Sequence, residues 1–375
     1  MGLTYGVRKI LQRELRDGEA ELAEHQSCPV ETTNYHKLEV EIQRKVQTTR
    51  HRLERFTLKS YRQLLHREGD KSGRLLAWIL NRESPRQAIT HLRDQGGRDL
   101  YSQKEIMQCL RLHLTDVYRN TLSPSEGATA DFFASLTMPT LGDEARQMLE
   151  AELTLEELQT AINQLPLGKV PGADGFPVEY LRGCFQMLQH QLLQVFLEAK
   201  GRGVLPPSMR EGLISLILKK DADPADPASY RPITVINADV KLLCKTLAVR
   251  LSRVISQLVH EDQCGFIQNR NTAMNLRRLN YVMQETTGSR VELAVASIDI
   301  SKAFDTVDWA YLLETLARMG VGPEFRAWIQ LLYTDPSARI KLGTIESEKI
   351  PIGKGTRQGC PLSPMLFAVA LEPLA

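Results

Sequence analysis

Ser297-Ile298-Asp299-Ile300-Ser301-Lys302-Ala303-Phe304-Asp305 sets a carboxylate directly after an apolar run, Leu293–Ile298. The run reads as a β-strand, and a helix is expected to open near Asp308. A carboxylate at a strand end is exposed yet held by a rigid element. That suits a hard cation such as Mg²⁺, which takes oxygen ligands and keeps waters or phosphate oxygens in its shell. Farther along lies Gly355-Thr356-Arg357-Gln358-Gly359-Cys360-Pro361-Leu362-Ser363-Pro364. Its two glycines would let a backbone approach a bulky ligand closely. Gln358 offers donors and an acceptor, and Ser363-Pro364 opens a helix with proline where its missing N–H costs nothing. Each segment alone also has a plain structural reading, as a strand end or a glycine-rich helix entry.

The surrounding elements are mixed. Leu213–Leu218 reads as a strand, and Ala338–Leu342 with Glu348–Ile352 as a hairpin around Gly343. Helices are expected over 178–200, 239–259, 272–286, 308–319, 323–333 and 362–374. Thr154-Leu155-Glu156-Glu157 has capping-box spacing, opening a helix through Leu165. Asp308 reads as a helix N-cap and Asp305 as structural or supporting. Upstream, Tyr35–Glu68 has no Gly or Pro, and its apolar residues recur every three or four positions, as in one long amphipathic helix. Arg74–Leu80 reads as a packed helix with Trp78 in the core. The texture changes after residue 140, and helices with separated strands suggest an α+β fold.

The 375 residues are 42% hydrophobic and 25% charged, which excludes a collagen-like, mucin-like or wholly disordered chain. Net charge is +2, but residues 1–120 hold 22 basic against 16 acidic side chains. That excess admits either a solvated helical face or a basic arm on a phosphate backbone. No two of the six cysteines are close enough in sequence for a zinc knuckle or redox pair. Met1–Glu14 lacks an apolar leader core, and no run reaches the length needed to cross a bilayer. An intracellular location, cytoplasmic or nuclear, is the expectation.

Taken together and in this order, the two chemical segments resemble motifs A and B of reverse transcriptases, closest to the non-LTR, LINE-type retrotransposon family. Other blocks agree. Lys169-Val170-Pro171-Gly172-Ala173-Asp174-Gly175-Phe176 resembles the K-x-P-G-x-D-G segment before the fingers. Ile217-Leu218-Lys219-Lys220 and Tyr230-Arg231-Pro232-Ile233-Thr234 resemble the basic fingers strand and the F-R-P-I-S motif. Gln263-Cys264-Gly265-Phe266-Ile267 with Arg270 resembles the next block. The resemblance covers residues 155–375.

It implies right-hand polymerase-type fingers and a partial palm over 141–375, preceded by a helix-rich basic region over 1–140. It implies an RNA template, a DNA primer, dNTP substrates and Mg²⁺, with two-metal nucleotidyl transfer. Asp299 would be the catalytic metal ligand, with the carbonyl of Ile300 beside it. Phe304 falls at the position whose ring crowds a ribose 2′-OH. Arg231 with Lys219 or Lys220 would hold the triphosphate, Arg as a fork and Lys as a point charge. Gln358 and Gly359 would lie against the incoming nucleotide and the templating base pair. The family's x-Asp-Asp motif is missing, since no Asp-Asp pair occurs in the 375 residues. The expectation is therefore a polymerase fragment, inactive alone. The alternatives are a non-catalytic nucleic-acid-binding remnant and a helical protein-interaction module. An open frame downstream of Ala375 that encodes x-Asp-Asp would favour the first reading.

Overall fold

The computed structural model describes residues 2–27, 38–49, 52, 89–120, 126–286, 294–343, 345–357 and 359–374. They form a mixed helix-and-sheet protein of two compact units. One comprises Met1–Leu110 with Leu218–Tyr230, the other Arg111–Ile217 with Arg231–Ala375.

In the first unit, helix Gly2–Ser27 packs against a helix over 38–49. Gly18 makes the approach possible, because a Cβ there would lie 3.0 Å from Val46. Ile42 and Val46 are buried at this contact, while Lys45–Glu21 (3.7 Å) and Arg52–Glu14 (3.9 Å) line its rim in antiparallel register. The expected helix over 35–68 is thus helical over 38–49, and residues 53–68 lie outside the described residues, as does Arg74–Leu80. Strands β1 (Leu92–Arg93) and β2 (Asp99–Leu100) form a hairpin whose turn is closed by Asp94 Oδ1, accepting from the Gly96 and Arg98 N–H groups. Arg93 N–H donates to Ala225 O at 2.7 Å, which attaches the loop 218–230.

The second unit holds the main core. Its sheet runs in the order β4-β3-β5-β6, with β7 also on β5. β3 (Glu211–Leu218) and β5 (Ser337–Leu342) are parallel, pairing Glu211 with Ser337 and Ile214 with Ile340. β4 is Tyr230–Val235, β6 Ile345–Glu346 and β7 Ile350–Pro351. β5 turns at Gly343 (φ 60°) into β6, and the chain returns to β5 through β7, which is the hairpin expected there.

Helices Leu155–Gln164, Val178–Arg202, Ala238–Ser252, Trp309–Arg318, Pro323–Tyr333 and Ser363–Leu371 bury one contiguous apolar cluster, including Phe185, Phe196, Leu247, Phe325, Trp328 and Val369. The Thr154/Glu157 capping box is present. The helix expected over 239–259 is two, Ala238–Ser252 and the short Ile255–Leu258. Glu150 accepts from the Glu324 and Phe325 N–H groups at 3.1 and 3.0 Å, so one helix end caps another. Arg250 is 2% exposed, and its guanidinium donates to both Glu157 oxygens and to the carbonyls of Leu149, Ala151 and Glu152. Burial would raise the Glu157 carboxyl, but hydrogen bonds from Arg250 and Thr154 outweigh it and hold the group below the ordinary glutamate range.

Of the strand expected over Leu293–Ile298, the described residues 294–298 are not in a strand. Residues 294–300 have no regular structure, and Val295 and Ile298 are 58% and 87% exposed. Among the described residues no strand pairs with this segment. A strand exists through its ladder, and an apolar run without one leaves its amides to water.

Candidate active site

Beyond Asp299 the chain is shaped by a left-handed residue, Lys302 (φ 51°), which starts the 3₁₀ turn Ala303–Asp305. Asp305 N–H donates to Lys302 O at 2.8 Å. This turn is stitched to Gly353–Thr356. Thr356 N–H donates to Phe304 O at 2.6 Å, Gly355 N–H to Val307 O at 2.7 Å, and Trp309 Nε1 to Gly355 O at 2.9 Å. Gly355 has φ 90°, and a Cβ on it would lie 2.7 Å from Asp305 O. Only glycine satisfies both the backbone angle and the approach.

Asp305 is 5% exposed and accepts from Tyr118 Oη at 3.3 Å. Tyr118 ends helix Gln103–Tyr118, and its carbonyl accepts from Gly353 N–H at 2.9 Å. Burial, reinforced by the Asp305 charge, pushes the Tyr118 hydroxyl far above the usual tyrosine range, so it stays a donor. Asp308 caps its helix, accepting from Tyr311 N–H at 2.8 Å, and also accepts from Asn120 Nδ2 at 3.1 Å. Tyr118, Thr234, Asp305, Lys354, Thr356 and Arg357 line a small cavity behind the turn.

Thr234 ties β4 into the same site. A Cβ on Gly212 of β3 would come within 2.5 Å of Thr234 Cγ2, and one on Gly359 (φ 104°) within 2.7 Å of Thr234 O. Cys360, next in the chain, is buried with Cys244. The hydrogen bond between the two thiols favours the thiolate of Cys360 against burial and pushes the Cys244 thiol up. Aromatic rings cover the turn. Phe304 stacks on Phe367 at 4.5 Å and meets Phe266 edge-to-face at 5.9 Å.

Residues 217–375 match the family described as reverse transcriptase (RNA-dependent DNA polymerase). The "Transposon TX1 uncharacterized 149 kDa protein" of Xenopus laevis is 30% identical over 307 residues, 81% of this chain and 23% of that protein. The Pol polyprotein of the type-1 retrotransposable element R2 of Popillia japonica is 31% identical over 220 residues, 58% of this chain and 30% of the relative. The RNA-directed DNA polymerase from the mobile element jockey of Drosophila melanogaster is 27% identical over 223 residues, 58% of this chain and 24% of the relative. Residues 217–375 are a reverse transcriptase domain of the kind carried by non-LTR retrotransposons. The chain spans between a fifth and a third of the length of these relatives.

Within this chain the expected site residues are distributed unevenly. Phe304 is half-buried in the stitched turn, and Gly359 lies beneath Thr234 of β4. Arg231 is exposed on β4. Lys219 donates from Nζ to Ala228 O at 2.9 Å, which fixes its own loop, whereas Lys220 is exposed. Asp299 and Ile300 sit on the exposed irregular segment. Gln358 lies outside the described residues. The two glycines of the second segment approach the chain's own backbone, not open space for a ligand, because Asp305 and Thr234 occupy that space. Tyr118 was not legible from the sequence, since a single tyrosine at a helix end carries no motif.

A Mg²⁺ pair does not fit the described residues. Among them no group of three or more His, Cys, Asp or Glu could hold a metal ion. The neighbouring Asp305 is buried against Tyr118, so it cannot join Asp299. No helix among the described residues is long and apolar enough to cross a membrane.

Proposed function

We propose that residues 141–375 are fingers and partial palm of an RNA-directed DNA polymerase, and that residues 1–140 are a basic region upstream of it. The site binds a deoxynucleotide on a primer–template of DNA and RNA. The observation carrying this reading is the stitched turn, which joins the Asp299–Asp305 segment to Gly353–Thr356. Gly359, beside Thr234, then brings in the strand that bears Arg231. In this reading Arg231 faces the triphosphate. Phe304 faces the sugar. Asp299 and the Ile300 carbonyl would contribute one side of a metal shell. A metal pair needs carboxylates from a second element to offset the repulsion between the ions.

Residues 1–375 should therefore bind nucleotide without extending a primer. Residues 1–375 are offered poly(A), oligo(dT), dTTP and Mg²⁺, with extension and dTTP binding measured separately. Binding weakened about tenfold or more by Arg231→Ala, with no extension, supports the reading. Extension that Asp299→Ala abolishes would overturn the inactivity. Binding of primer–template with no binding of dTTP would favour a non-catalytic nucleic-acid-binding remnant.

A further inference from the structure

Phe304 is held from two sides. Its backbone is fixed, because its carbonyl accepts from Thr356 N–H at 2.6 Å and from Thr356 Oγ1 at 3.3 Å. One face of its ring is covered by Phe367 of helix Ser363–Leu371, with centroids 4.5 Å apart and planes at 24°. Phe266 meets it at 5.9 Å and 83°. Stacked and edge-to-face pairs at these distances fix the orientation of both rings.

Phe266 is unusual in two respects. Its backbone is left-handed at φ 63°, a region that bulky side chains rarely adopt. Its side chain is nonetheless 61% exposed, so burial does not offset that strain. A strained aromatic residue that leaves most of its surface in water, yet contacts the ring assigned to the sugar, points to a ligand. A flat apolar ring there can lie against the sugar or base of a nucleotide already facing Phe304.

We propose that Phe266 is a specificity-positioning residue, which with Phe367 clamps the Phe304 ring and sets discrimination between deoxyribose and ribose. This rests on the nucleotide-site reading above. An aromatic barrier to a single hydroxyl works only if its ring is held by packing, since a ring free to rotate would yield to it. The clamp therefore predicts that selectivity depends on a residue outside the turn itself.

The test is equilibrium binding of dATP and ATP, with Mg²⁺ present, to residues 1–375 and to the variants Phe304→Ala, Phe266→Leu, Phe266→Gly and Phe266→Tyr. Glycine relieves the left-handed strain and guards against loss of folding, which thermal unfolding checks. The parent should prefer dATP. Phe304→Ala should abolish that preference, and Phe266→Leu and Phe266→Gly should reduce it about three- to tenfold. Phe266→Tyr should retain it. An unchanged preference in both Phe266→Leu and Phe266→Gly, with loss in Phe304→Ala, would overturn the clamp and leave the nucleotide site standing. Failure of the parent to bind either nucleotide would overturn the site reading, and the clamp with it.

Discussion

At the scale of single residues, the site depends on contacts that no charge pattern announces. Gly355 combines φ 90° with a Cβ position 2.7 Å from Asp305 O. Gly355→Ala should cost about 1–3 kcal/mol for the backbone angle alone, and more for the displaced turn. Urea unfolding would measure the loss, and nucleotide binding should fall with it. Tyr118 donates from Oη to the buried Asp305 carboxylate at 3.3 Å. Tyr118→Phe keeps the ring and removes the hydroxyl, so it should destabilise the chain by about 1–3 kcal/mol. The same unfolding experiment reads it, and a change below a few tenths of a kcal/mol would mean the bond is weak. Asp308→Ala removes a helix cap and the Asn120 contact, and about 1 kcal/mol is expected.

At the scale of elements, the Arg250–Glu157 pair joins helix Ala238–Ser252 to the capping box of Leu155–Gln164. Arg250→Met would leave Glu157 and three carbonyls without this donor, at a cost of about 3–5 kcal/mol. Because Glu157 titrates lower in the folded chain than in the unfolded chain, its contribution is fully present above the ordinary glutamate range. It is lost as pH falls through the lower folded value. Stability should decline on acidification through that window, and Glu157→Gln should flatten the decline. Elements with local signals were legible in advance. Thr154 and Glu157 write their cap in four residues, and the apolar periods of Val178–Arg202 and Pro323–Tyr333 match their helices. Leu293–Ile298 misled because an apolar run is only half of a strand's requirement. The other half is a neighbouring ladder, which local composition does not encode. Tyr118 and Asp305 are 187 positions apart in the chain, and so long-range a pairing leaves no local trace.

At the scale of the whole molecule, net charge of +2 hides a basic excess in residues 1–120. Nucleic-acid binding by the full chain should weaken steeply between low and physiological salt, since it would rest on counterion release. A flat salt dependence would count against a phosphate-backbone contact. The exposed stretch 294–300 carries a different consequence. Without a ladder its amides should exchange with deuterated solvent almost as fast as those of an unfolded chain, while helices such as Ala238–Ser252 are protected. Any ligand that draws Asp299 into order must slow that exchange. Mass spectrometry of a peptide spanning Val295–Ser301 would then report occupancy of the site directly, with no turnover required.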